Sequence, residues 1–207
     1  PRVPLYELGT KRWATSDSWP IIGRATATLS IPEATFTVNL DDLPCLAGLR
    51  GLRVGCIRDG WGPRDVTRLL DRPDVAVIDL PLLEDDLTVS GTITARIACG
   101  SAATPGEQWV ALLCERVSSG VVMAIADGVA MRSLDDQKLD IPLGALRSTI
   151  AAGASLVLLL CGGLTPRWES PRGGHGERAV GPSSLLTLEV SAPEPPPNRP
   201  GIEHSHN

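Results

Sequence analysis

The residues best suited to chemistry lie in one stretch, LCGGLTPRWESPRGGHG, where Cys161 is followed by two glycines and then by His175. A thiol attacks a carbonyl only as the thiolate, and a positioned histidine is its usual base. The chain's three histidines are His175, His204 and His206, so the first half of the chain supplies none to act as that base. Cys161 therefore reads as the end of a buried strand at a Gly-Gly turn. Carboxylates pair at Asp41 with Asp42, Asp85 with Asp86 and Asp135 with Asp136. Neighbours in sequence at turns point apart, unlike an acid–base dyad, and these read as solvated turn caps. His204 and His206 in a polar tail supply too few ligands for a metal site. The five cysteines, Cys45, Cys56, Cys99, Cys114 and Cys161, form no CxxC pair, and four of them sit in apolar runs as small hydrophobes, so we expect free thiols in a reducing compartment. No GxSxG or phosphate-cradling loop is present, and the GWG at Gly60 to Gly62 reads as a loop. These residues imply no catalytic set, no cofactor and no metal, hence a protein that is not an enzyme.

What remains is the scaffold. The chain has 207 residues, 43% hydrophobic and 21% charged, enough for one core that buries about 70% of the unfolded surface. A net charge of −5 argues against a free-standing nucleic-acid binder. Aromatics are only 3%, so Leu, Val, Ile and Ala must fill the core. No apolar run reaches the roughly 18 residues of a membrane helix, and no membrane association is expected.

The dominant period is two. Ala27, Leu29 and Ile31 alternate with polar residues, and beyond Pro32 the parity shifts to Phe36, Val38 and Leu40. Ile93, Ala95, Ile97 and Cys99 alternate with Thr92, Thr94 and Arg96. Strands are also expected around Leu52 to Cys56, Val75 to Leu83, Lys138 to Leu143 and Leu185 to Val190. Trp109 to Val117 and Ser155 to Cys161 are continuous apolar runs, the pattern of strands covered on both faces. Ile97, Leu112, Leu158 and Leu160 are expected in the core. Only Pro63 to Asp71 reads as a helix, with Pro63 in its first turn and Pro73 beyond its end. The expected fold is all-β, an antiparallel eight-stranded jelly-roll sandwich with one short helix and extended termini.

Three parts follow from the composition: a polar N-terminal arm over residues 1–20, a sandwich over 21–190, and a Pro-rich C-terminal tail over 191–207. The tail has too little apolar surface to offset its ordering entropy. Trp13 and Trp19 in the arm, with Pro195, Pro196 and Pro197 in the tail, are the candidate contacts with other subunits.

Two stretches resemble known families. The Cys161 to His175 segment resembles the nucleophile segment of chymotrypsin-like cysteine proteases of viruses, but Leu159 stands where that family has glycine. From Val89 to Gly163 the order SGTITARIACG, GEQWVALLCERV, DDQKLDIPLG and ASLVLLLCGG resembles jelly-roll capsid proteins of picorna-like viruses of the plant comovirus, nepovirus and waikavirus type. That resemblance implies a structural coat subunit of a virion. It would assemble in the host cytoplasm with other capsid subunits, as homo- and hetero-oligomer, into an icosahedral 60-copy shell around positive-strand RNA, with the N-terminal arm reaching the RNA. The start at Pro1 would then come from polyprotein cleavage. The alternatives are a non-viral β-sandwich binding or adhesion module and, behind it, a cysteine hydrolase using Cys161.

Overall fold

The computed structural model describes residues 2–8, 11–19, 25–45, 63–165, 167–169 and 174–191. The stretch read as an irregular arm forms two short strands, β1 (Val3–Glu7) and β2 (Arg12–Ser16), paired as a hairpin. Then come β3 (Ala25–Ser30), β4 (Ala34–Val38), β5 (Arg64–Asp65), β6 (Val75–Asp79), β7 (Leu87–Ala98), β8 (Gln108–Arg116) and β9 (Val122–Met131). The last four are β10 (Lys138–Ile150), β11 (Ser155–Cys161), β12 (Gly176–Val180) and β13 (Leu185–Val190). All named strand pairings are antiparallel, and the fold is all-β. The expected strand at Leu52 to Cys56 lies outside the described residues.

Two large sheets carry the architecture, one of four strands in the order β10-β7-β13-β3 and one of five in the order β5-β9-β8-β11-β6. Their facing residues make one core. Ile93, Ala95, Ile97, Ile141, Leu186 and Leu188 from the first sheet meet Trp109, Ala111, Leu113, Leu156, Leu158 and Leu160 from the second. Because successive side chains alternate, the remaining residues of β8 and β11 point away from that core. There Val110, Leu112, Cys114, Val157, Leu159 and Cys161 form a second buried cluster, covered by Val66, Leu69, Leu164 and Trp168. The continuous apolar runs of β8 and β11 are thus explained by cover on both faces.

The expected helix over Pro63 to Asp71 is not formed. Arg64–Asp65 pairs with β9, and only Thr67–Leu69 makes a turn of 3-10 helix. The sheet takes the groups a helix would use, since Val66 N–H donates to the Val122 carbonyl at 2.8 Å and the Thr67 hydroxyl accepts from Val122 N–H at 2.9 Å. Where the two sheets approach at a corner, Gly128 of β9 lies against β10 so closely that a Cβ there would stand 1.9 Å from the Pro142 carbonyl oxygen. One residue beyond Leu143, Gly144 adopts φ +88° at a register shift in the β7 pairing, which then continues to Ile150.

Candidate functional site

Cys161 closes β11 facing the second cluster, 1% exposed, with its thiol 3.2 Å from the Gly163 carbonyl oxygen. Burial pushes its pKa up to about 12, against a smaller lowering by the hydrogen bond to Gly163. A thiol so placed is protonated at neutral pH and closed to substrate. His175 is exposed; His204, His206, Cys56 and Trp61 lie outside the described residues. Of the carboxylate pairs, Asp136 caps its own turn, accepting from Ser133 N–H at 2.8 Å, whereas Asp42 pairs with the distant Arg72 at 3.2 Å and Asp86 accepts from Ala152 N–H at 2.8 Å across to another loop. Among the described residues, no group of three or more His, Cys, Asp or Glu is placed to hold a metal ion. No helix among them is long and apolar enough to cross a membrane.

Charge is buried at one end of the main core. Glu107 and Arg132, both 2% exposed in their side chains, pair at 3.2 Å. The same carboxylate accepts from the Trp109 indole N–H at 2.6 Å and from Thr104 N–H at 2.9 Å. Burial pushes the Glu107 pKa up, but these donors outweigh it and hold the group below its ordinary value. Arg132 also donates to the carbonyls of Asp136 and Ser101, at 3.0 and 2.9 Å. Beside them Arg178 lies over the Trp109 and Phe36 rings, 5.4 and 6.0 Å from the centroids, and donates to the carbonyls of Gln108 and Gly174. Burial lowers its pKa to about 10. Every named donor here ends on a backbone carbonyl or a partner within the cluster, so it staples loops together.

The open site lies under the hairpin. Leu8 N–H donates to the Arg147 carbonyl at 3.0 Å, and Glu7 accepts from the Thr149 hydroxyl at 2.5 Å, which ties β1 to β10. The result is a cavity of about 520 Å³ lined by Tyr6, Trp19, Arg64, Asp127, Arg147 and Arg167, among others. Asp127 at its wall accepts from the Trp168 indole at 2.7 Å and pairs with Arg167 at 2.5 Å, and Arg167 lies 5.1 Å over the Trp168 ring. Of the residues expected to make contacts, Trp19 is half-buried on this cavity, while Trp13 is 72% exposed and edge-on to Tyr6 at 5.3 Å. Pro195, Pro196 and Pro197 lie outside the described residues. The arginines and Asp127 of this wall come from four separate strands or loops, and no sequence spacing links them.

No protein-family model matches the chain. It is 26% identical to the cocaine esterase of Rhodococcus sp. (strain MB1 Bresler) over 153 residues, which are 62% of this chain and 26% of that protein. Its fold matches part of an aminopeptidase from the marine sediment archaeon Thaumarchaeota archaeon, with a TM-score of 0.73, 15% identity, and 93% of this chain against 40% of that one. An α-amino acid ester hydrolase is matched at a TM-score of 0.69 and 15% identity, over 91% of this chain and 41% of the other. The chain therefore spans between about a quarter and two-fifths of the proteins it matches.

These similarities correct the capsid reading. The resemblance to picorna-like coat proteins rested on the spacing and hydrophobicity of strands, which any two-layer antiparallel sandwich imposes. The sequence and fold relatives are hydrolases, not shell subunits, so a 60-copy shell, RNA as cargo, a virion location and capsid partners all fall. The expectation of a protein outside enzymology falls with them, because the sequence it resembles is an esterase and its fold matches parts of an aminopeptidase and an ester hydrolase. Buried thiols had fitted host-cell assembly, yet they report only that cysteine fills small apolar spaces.

Proposed function

We propose that this chain serves as the β-sandwich portion of a hydrolase that cleaves ester or amide bonds of small acyl groups. The observation that carries this reading is the pattern of coverage. More than nine-tenths of the chain superposes on two-fifths of an aminopeptidase and of an α-amino acid ester hydrolase, and its sequence relative is an esterase. Ester and amide cleavage share one demand, a nucleophile delivered to an acyl carbon. Buried Cys161 does not meet it, so the reading places the attacking group in the further three-fifths that such hydrolases possess. We also read the eight strands β3, β6 to β11 and β13 as a jelly roll. The orders β3-β13-β7-β10 and β6-β11-β8-β9 support this, because chain order passes between the two sheets as two Greek keys require. On this reading residues 21–190 form the sandwich, and the N-terminal segment adds the β1–β2 hairpin tied to β10.

The test is a polypeptide joining this chain to the sequence that adjoins it, assayed on p-nitrophenyl esters and amino acid p-nitroanilides. Turnover well above buffer, lost when the sandwich is deleted, supports the reading. Turnover of neither substrate class above buffer overturns it.

A further inference from the structure

We propose that β3 is the edge through which this chain dimerises, pairing antiparallel with β3 of a second copy so that the four-stranded sheet runs on across a two-fold axis at Thr28. The other edges of the two large sheets are occupied or short. Among the described residues β10 packs against β9 at the corner and against β1, β6 lies beside β4, and β5 is two residues long. β3 pairs with β13 on one side, and no described strand pairs with its other side. One bond fixes which backbone groups face that open side. Ile31 N–H donates to the Ser184 carbonyl at 2.9 Å, continuing the β13 register, and alternate residues of a strand turn their N–H and C=O groups to the same side. Ala25, Ala27 and Leu29 therefore spend theirs on β13, while Thr26, Thr28 and Ser30, all exposed, point theirs outward. Natural edges are blunted by charge, proline or a bulge, and Ala25–Ser30 carries none of these.

The strand is complementary to itself. With Thr28 opposite Thr28 of the second copy, Thr26 stands opposite Ser30 and Ser30 opposite Thr26, so every outward N–H meets an outward C=O in a hydrogen-bonded pair. A slip of two residues in either direction carries Ser30 or Thr26 past the end of the partner strand. Side chains agree with the backbone. On the outer face hydroxyl meets hydroxyl, which lengthens the row of Thr28, Thr187 and Thr94. On the inner face Leu29 stands opposite Ala27, large against small, and both are core-packed residues left half-buried at this edge. A strand without charge sets no like charges opposite each other when it pairs with itself. Two-fold pairing also closes at two copies, where a head-to-tail contact would run on into a filament. The inference stands apart from the hydrolase reading, since association is measured without any turnover.

Sedimentation velocity on the full chain at low salt, from about 1 to about 300 µM, should show a reversible monomer–dimer equilibrium with a dissociation constant between about 1 and about 100 µM, as a single short strand pairing gives. Thr28→Pro deletes the outward N–H at the axis and leaves the bonds to β13 in place, and it should weaken the dimer at least about tenfold. Thr28→Lys and Thr28→Glu, at an exposed position, each set like charges directly opposite, and each should weaken it about fivefold or more. Mixed together, the two charge variants should pair again at close to the parent affinity. They decide the matter where Thr28→Pro lowers the urea midpoint. A chain that stays monomeric at about 300 µM overturns the proposal and leaves the edge to another polypeptide. A dimer untouched by Thr28→Lys, or charge variants that do not recombine, overturns it by placing the contact away from Thr28.

Discussion

Across the four-stranded sheet one row of outward side chains runs Thr28, Thr187, Thr94 and Pro142, in register from β3 to β10. The matching row across the five-stranded sheet runs Val77, Leu159, Leu112 and Asp127, from β6 to β9. The first row meets water, and its β-branched threonines suit a pleated, half-solvated surface. The second is closed over by Val66, Leu69, Leu164 and Trp168, and its one charged member, Asp127, is held by an indole and a guanidinium at the cavity wall. One sandwich thus has a solvent side and a built side, and the cavity sits on the built side. In antiparallel sheets one wet face is the ordinary arrangement, so a second apolar face marks where the fold has work beyond closing its core.

Placing the same charge in both rows tests that contrast most sharply. Leu159 is fully buried, and Leu159→Lys strands an ammonium among the apolar side chains of Val110, Val157 and Cys161. The expected loss is about 5 kcal/mol or more, read as failure to fold or as collapse of the urea midpoint. A loss below about 1 kcal/mol would mean the second cluster opens readily and the built side is not built. The sheet corner gives the next effect. Gly128→Ala forces a methyl into the Pro142 carbonyl, where backbone must move, and about 3 kcal/mol should be lost with β9 and β10 displaced and the cavity deformed.

The buried pair at the other end of the core behaves as neither row does. Glu107→Gln leaves Arg132 buried beside a neutral amide, and about 3 kcal/mol should go. Glu107 carries a depressed pKa in the fold, so the unfolded chain takes up its proton at higher pH than the folded one does. Its contribution is complete above the ordinary glutamate range and is lost as pH falls through the folded value. Acid titration of the unfolding midpoint should therefore drop less steeply in Glu107→Gln than in the parent. Equal slopes would show that this carboxylate is not what couples folding to acid.

How much of this was legible in the sequence follows from what alternation encodes. Period two placed Ile93, Ala95 and Ile97 inward, and unbroken apolar runs identified β8 and β11 as covered on both faces, with Ile97, Leu112, Leu158 and Leu160 all 0 or 1% exposed. β9 was missed because Asp127 and Gly128 interrupt it. Both have tertiary reasons, a wall of the cavity and a backbone contact, that no local pattern carries. β12 was hidden in a glycine-rich stretch, and β1 and β2 among polar residues whose partners are each other. The site was illegible for the same reason: Arg64, Asp127, Arg147 and Arg167 meet only through the fold. Strand spacing, the most readable feature, was also the most misleading, since it is common to coat proteins and to hydrolase sandwiches.

The smallest expected effect completes the comparison. Thr187 sits at the centre of its sheet as Leu159 does in the other, flanked by Thr28 and Thr94. Thr187→Lys sends its stem along that face and its ammonium to water, near the Glu189 carboxylate that already accepts from Thr92 N–H at 2.6 Å. Losing a β-branched residue costs a little, and a weak attraction to Glu189 returns part of it, so the urea midpoint should move by less than about 1 kcal/mol. A large loss here would mean that the threonine row is itself covered in the working protein, and the division into a solvent side and a built side would have to be redrawn.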